Sequence, residues 1–119
     1  MPVGLTRDAG WEIGVSKTLP LPVATVWDFL MSAEGLALWL GPGAVLPAEG
    51  DPALRGFRPR DRVRLSYGDT VLQATVSPAS DGRAVLGFHQ EHLASAEERE
   101  RQRAHWKSVM AEIVRALVP

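Results

Sequence analysis

Four arginines stand at alternate positions: Arg58, Arg60, Arg62 and Arg64. Residues two apart share a face of an extended strand, so this spacing would line one face with guanidinium groups. Such a stripe fits an anion or a protein partner. The favoured reading is a solvated outer face paired with acids such as Glu12 and Glu91. Aromatic residues do not interleave with it, as a single-stranded nucleic-acid platform requires. The net charge of −1 adds no general pull toward nucleic acid, and none is expected as a partner. The histidines His89, His92 and His105 are the candidate acid–base or metal-binding groups. His89 and His92 lie three apart in a strand, which should send them to different faces. The run His89-Gln90-Glu91-His92 lacks the glutamate directly after the first histidine, and the histidine at i+4, of the zinc-protease helix. With no cysteine, thiolate nucleophiles, disulfides and thiolate metal sites are excluded. No serine sits in a nucleophile elbow. Gly41-Pro42-Gly43 is not followed by a phosphate-loop pattern. No catalytic residue, metal or cofactor is assigned, and a role without catalysis is the favoured expectation.

A second constellation is apolar with polar tips. Alternation places Val63, Leu65, Tyr67, Leu72, Ala74, Val76, Leu86, Phe88 and Gln90 on one sheet face. Trp106, Met110 and Ile113 share the facing stripe of a helix. Trp39 is expected at the mouth between them. Either these side chains fill a core, or they line a mostly apolar cleft. In a cleft, Tyr67 and Gln90 would orient a small ligand.

The elements that must position these groups read as follows. Trp11 to Leu19 alternates like a strand, and Pro20 and Pro22 end it. Val23, Val26, Trp27 and Leu30 define a helical face. Ser32 to Gly35 should break that helix, and Leu36 to Leu40 should form a short second one before Gly41-Pro42-Gly43. Ala44 to Leu46 and Leu54 to Phe57 suit short strands. Asp61 to Tyr67, Thr70 to Ser77 and Arg83 to Leu93 read as longer strands, joined by turns at Gly68-Asp69 and Pro78 to Gly82. Ser95 with Glu98 forms a capping box opening a long amphipathic helix through Leu117. Met1 to Gly10 shows no sustained period and reads as a flexible tail ahead of one domain over 11–119. A chain of 119 residues suits a single domain at about 100–200 residues each. No apolar run approaches the roughly 18 residues of a membrane span, and no signal segment opens the chain. A soluble, cytoplasmic protein is expected.

Four stretches carry a family likeness. They are Leu19-Pro20-Leu21-Pro22 with Val26-Trp27, then Gly35 to Leu40, then Phe57 to Leu65, and Leu86 to Leu93 running into Glu97-Glu98-Arg99 and His105-Trp106. Together they resemble the SRPBCC superfamily, and within it the bacterial homologues of the activator of the heat-shock-protein-90 ATPase. The resemblance implies an α+β helix-grip (START-like) fold, with a curved antiparallel sheet wrapped around a long C-terminal helix and two short helices after the first strand. It also implies a cavity between sheet and helix. Relatives of this kind bind lipids and other hydrophobic ligands, cyclise polyketides, or act as co-chaperones. The segment Asp51 to Phe57 is shorter than the hairpin such proteins usually place there, so one rim of the sheet should be trimmed. Exposed edges near it could pair two chains, and a monomer or a homodimer both fit. The favoured expectation is noncovalent binding of a small hydrophobic ligand in the cavity. The alternatives are a protein-interaction module working through its surface and a cyclase-like enzyme.

Overall fold

The computed structural model describes residues 5–6 and 10–118. A two-residue strand β1 (Leu5–Thr6) pairs antiparallel with β2 (Gly10–Leu19). The rest of the expected tail, 1–4 and 7–9, lies outside the described residues. In β2 the alternation of Trp11, Ile13 and Val15 with Glu12, Gly14 and Ser16 turns the apolar set toward the core.

Pro22 stands at the N-cap of helix α1 (Val23–Met31), which buries Val26, Trp27 and Leu30. The expected break at Ser32 to Gly35 is a one-residue corner instead. Ser32 closes α1 by donating its N–H and its Oγ–H to the Phe29 carbonyl, at 3.1 and 2.6 Å. The same Oγ accepts from the Gly35 N–H at 3.0 Å and opens α2 (Ala33–Leu40). A serine N-cap satisfies an otherwise orphan donor, so α2 starts ahead of Leu36. The two helices bend by 75°. Gly35 makes the corner fit, because a Cβ there would lie 1.8 Å from the Phe29 carbonyl oxygen.

Residues 41–53 cross from α2 to the sheet without regular structure. The strand expected at Ala44 to Leu46 does not form. The Ala44 N–H bonds back to the Gly41 carbonyl at 3.1 Å in a local turn, and Val45 is 80% exposed. Four strands follow: β3 (Leu54–Arg58), β4 (Arg62–Tyr67), β5 (Thr70–Pro78) and β6 (Ala84–Leu93). With β1 and β2 they make an antiparallel sheet in the order β1-β2-β6-β5-β4-β3. A single strand, β3, therefore stands between α2 and β4.

Helix α3 (Ala96–Leu117) has 22 residues and is about 33 Å long at 1.5 Å per residue. It lies across β2 and β6 and buries Trp106, Val109, Met110 and Ile113. Half of the capping box forms: Ser95 Oγ accepts from the Glu98 N–H at 3.1 Å. The Glu98 carboxylate turns along the helix instead, to Gln102 Nε2 at 3.0 Å and Arg101 Nε at 2.9 Å. Those donors hold its carboxyl below the usual range. Arg99 Nε donates to the Glu12 carbonyl at 2.8 Å and ties the start of α3 to β2. The result is an α+β architecture with the core between the inner sheet face and the three helices.

Candidate functional site

Two β-bulges decide which side chains face inward. Between β3 and β4, Leu54 pairs with Leu65 but Gly56 pairs with Arg64, so β3 carries one extra residue. Leu54 and Phe57, three apart, therefore both fall opposite inward residues, Leu65 and Val63. Arg55 and Arg58 go to the outer face. There Arg55 Nε donates to Ser66 Oγ at 3.0 Å, and Arg58 pairs with Asp61 at 3.5 Å. Leu54 and Phe57 then form one wall of a cleft of about 360 Å³, completed by Leu46, Pro47 and Glu49 from the 41–53 loop. Phe57 is 47% exposed and leans on buried Trp27, with ring centroids 5.9 Å apart. This volume is at the lower end of the range typical of small-ligand sites.

The second bulge lies between β2 and β6, where Trp11 pairs with Leu93 but Ile13 pairs with Gln90. The extra residue is on β6, and His92 takes up the left-handed conformation there at φ 65°. Gln90 and Leu93 are both buried as a result. His89 lies 3.6 Å from the Glu91 carboxylate.

The inward residues expected from alternation come together behind α3. Val63, Leu65, Leu72, Ala74, Val76, Leu86 and Phe88 are buried, with Met110 and Ile113 over them. Phe88 stacks on Trp106 at 4.8 Å and 24°, and meets Trp39 at 5.8 Å. Trp39 is 1% exposed, so it belongs to the core and not to a mouth. Its Nε1 donates to the Leu30 carbonyl at 3.0 Å, which fixes it against α1. Tyr67 is half-buried beside Trp106, at 6.3 Å. Gln90, 2% exposed, is engaged from both ends. Its Oε1 accepts from Trp106 Nε1 at 2.8 Å, and its Nε2 donates to Thr70 Oγ1 at 2.9 Å. The Thr70 hydroxyl donates onward to the Tyr67 carbonyl at 2.6 Å. A buried polar group needs such partners, and here the fold supplies them.

The four arginines do not share one strand face. Arg58 ends β3, Arg60 sits in the turn at φ 61°, and Arg62 and Arg64 lie on β4, with Arg62 opposite Arg58. A hairpin turn at Pro59-Arg60-Asp61 interrupts the extended run that would have aligned them. Arg64 makes a two-pronged contact to Glu91 at 2.6 and 3.3 Å. That hydrogen bonding holds the Glu91 carboxyl below its usual range and raises the Arg64 guanidinium. His89 bridges between Glu12 at 3.5 Å and Glu91 at 3.6 Å. His105 is exposed and edges onto Trp106. Among the described residues no three His, Asp or Glu side chains group closely enough to hold a metal ion.

No family model matches the chain, and no curated protein is similar to it in sequence. Solved structures do share its fold. Protein CV1439 from Chromobacterium violaceum superposes with a TM-score of 0.69 at 19% identity, over 91% of this chain and 97% of that one. DynU16, a putative protein in the dynemicin biosynthetic locus, gives 0.72 at 19% identity, over 89% of this chain and 46% of that one. An AHSA1-like protein from Rhizobium etli gives 0.61 at 17% identity, over 92% and 84%. The chain has the helix-grip fold.

Within this helix-grip framework, the residues that line the rim cleft escaped the sequence reading. Leu46 and Pro47 belong to an irregular loop, and strict alternation separates Leu54 from Phe57. Gly56 between them carried the signal, since an isolated glycine in a strand pattern marks a bulge. No single helix among the described residues of the helix-grip chain is long and apolar enough to cross a membrane.

Proposed function

We propose that this chain binds a small hydrophobic ligand without covalent chemistry, and that the ligand seats in the rim cleft between the 41–53 loop and β3. The carrying observation is the cleft itself. It measures about 360 Å³, with Leu46, Pro47, Leu54 and Phe57 as apolar walls. A large aromatic ring left 47% exposed beside it supports the same reading. In this reading buried Trp27, in contact with Phe57, backs the aromatic wall of the cleft. Titration with Nile red, a neutral apolar probe, tests it. Saturable binding is expected, weakened about tenfold in Phe57→Ser, which removes roughly 1.4 kcal/mol of apolar contact. Absence of saturable binding to the unaltered chain would overturn the proposal.

A second reading rests on a separate observation. Arg60 and Arg62 are exposed at the β3–β4 turn, and no other described side chain pairs with them. They suit an acidic protein surface, in the manner of an interaction module. Under that reading Arg60→Glu with Arg62→Glu abolishes partner capture and leaves Nile red binding unchanged.

A further inference from the structure

The rim cleft has a chemical polarity of its own. Its lining includes one charged side chain, Glu49. The loop that supplies it, residues 41–53, contains no lysine or arginine. Its other charge, Asp51, is engaged locally, with Oδ1 accepting from the Ala53 N–H at 2.9 Å. The strand that supplies the opposite wall does carry cations. The bulge at Arg55-Gly56 turns them away, leaving Arg55 on Ser66 and Arg58 on Asp61. Among the described residues no side chain forms an ion pair or hydrogen bond with Glu49. The cleft therefore presents apolar walls and one unneutralised carboxylate.

We infer that the ligand class of the cleft is an apolar amine, with its hydrocarbon against Leu46, Pro47, Leu54 and Phe57 and its ammonium at the Glu49 carboxylate. This deepens the reading above and rests on it. An alkylammonium is charged at neutral pH, as lysine is with its pKa of about 10.4. A fatty acid of the same length would bring a second carboxylate beside the first, which like-charge repulsion disfavours. A neutral alcohol would gain the apolar contact alone. An exposed ion pair contributes up to about 1 kcal/mol, so the amine should bind about fivefold more tightly than the alcohol.

The test compares decylamine, decanol and decanoate by displacement of Nile red at neutral pH, on the unaltered chain and on Glu49→Gln. The expected order is amine first, alcohol about fivefold weaker, carboxylate weakest. In Glu49→Gln the amine's advantage should vanish while the alcohol's affinity stays within twofold. Raising the salt concentration should shrink the same advantage. Equal affinities for amine and alcohol, or an advantage that survives Glu49→Gln, would overturn the amine assignment and leave the cleft standing. If Nile red binds saturably and none of the three displaces it, the amine assignment falls alone; if Nile red does not bind saturably, the cleft reading falls and the assignment with it.

Discussion

The indole N–H of Trp106 on α3 donates to Gln90 Oε1 on β6 at 2.8 Å, across the interface between helix and sheet. Both residues are almost fully buried, and Gln90 passes the chain of hydrogen bonds on to Thr70. Gln90→Leu removes an acceptor and a donor together, leaving the Trp106 N–H and the Thr70 hydroxyl short of partners. The expected destabilisation is about 1–3 kcal/mol, read as a lower urea midpoint. Adding Trp106→Phe should cost less in that background than in the unaltered chain, because the indole N–H is already orphaned. Equal costs in the two backgrounds would show that the two side chains are not coupled.

Gly35 is expected to be the least replaceable residue of the helical corner. Alanine would set its Cβ 1.8 Å from the Phe29 carbonyl oxygen, and the atoms it meets are Phe29 and Leu30 backbone, with no flexible side-chain end to yield. Gly35→Ala should destabilise by at least about 3 kcal/mol, despite alanine's better helix propensity. Thermal unfolding followed by circular dichroism measures it, and a gain in stability would refute the geometry of the corner.

The Arg64–Glu91 pair gives stability a defined pH dependence. Hydrogen bonding from Arg64, then the charges of Arg64, His89 and His92, hold the Glu91 carboxyl below its ordinary value. A depressed folded value means the stabilisation is complete above the unfolded carboxyl's range, about 4.3 for glutamate, and is lost as pH falls through the lower folded value. Glu91→Gln should therefore be less stable by about 1 kcal/mol at neutral pH. The gap should close as the pH is taken below 4.3 (about the unfolded glutamate value). Urea midpoints at a series of pH values would show it, and a gap constant with pH would rule the linkage out.

His92 holds a left-handed backbone at φ 65° in the β6 bulge, a region that disfavours residues carrying a Cβ. A Cβ added at Gly10 would lie 3.5 Å from the His92 Cα, an ordinary van der Waals contact. His92→Gly should stabilise the chain by about 1 kcal/mol, because the strain it relieves exceeds the added freedom of the unfolded chain. A matched measurement on Asp81→Gly, at φ 59° in an exposed turn, should show a gain of the same sign.

Period-two and period-3.6 patterns made the sheet and α3 legible in the sequence. The inward assignment of Val63, Leu72, Leu86 and Phe88 follows from alternation alone, since one buried face imposes it. Alternation failed at the two bulges. One extra residue resets the count, which put Phe57 opposite inward Val63 and left both Gln90 and Leu93 buried. The arginine run misled for a related reason. Its spacing is that of a strand, but Pro59-Arg60-Asp61 turns the chain midway. Trp39 was misplaced because an indole near a helix end reads as amphipathic, and only the tertiary contact to the Leu30 carbonyl shows where its N–H goes. The cleft depends on a loop of no regular period, so its walls were beyond any periodicity argument.

The five-residue β3 ends the sheet, and among the described residues no strand pairs with its far side. A flat apolar margin of that kind would recruit further copies into fibrous stacks. This margin is bent by the extra residue at Arg55-Gly56, carries Arg55 and Arg58 on its solvent face, and stops at Pro59, which has no amide hydrogen to offer. The irregularity that shapes the cleft is thus also of the kind that discourages strand pairing at a sheet edge. Straightening it by deleting Arg55 would remove both properties in one step.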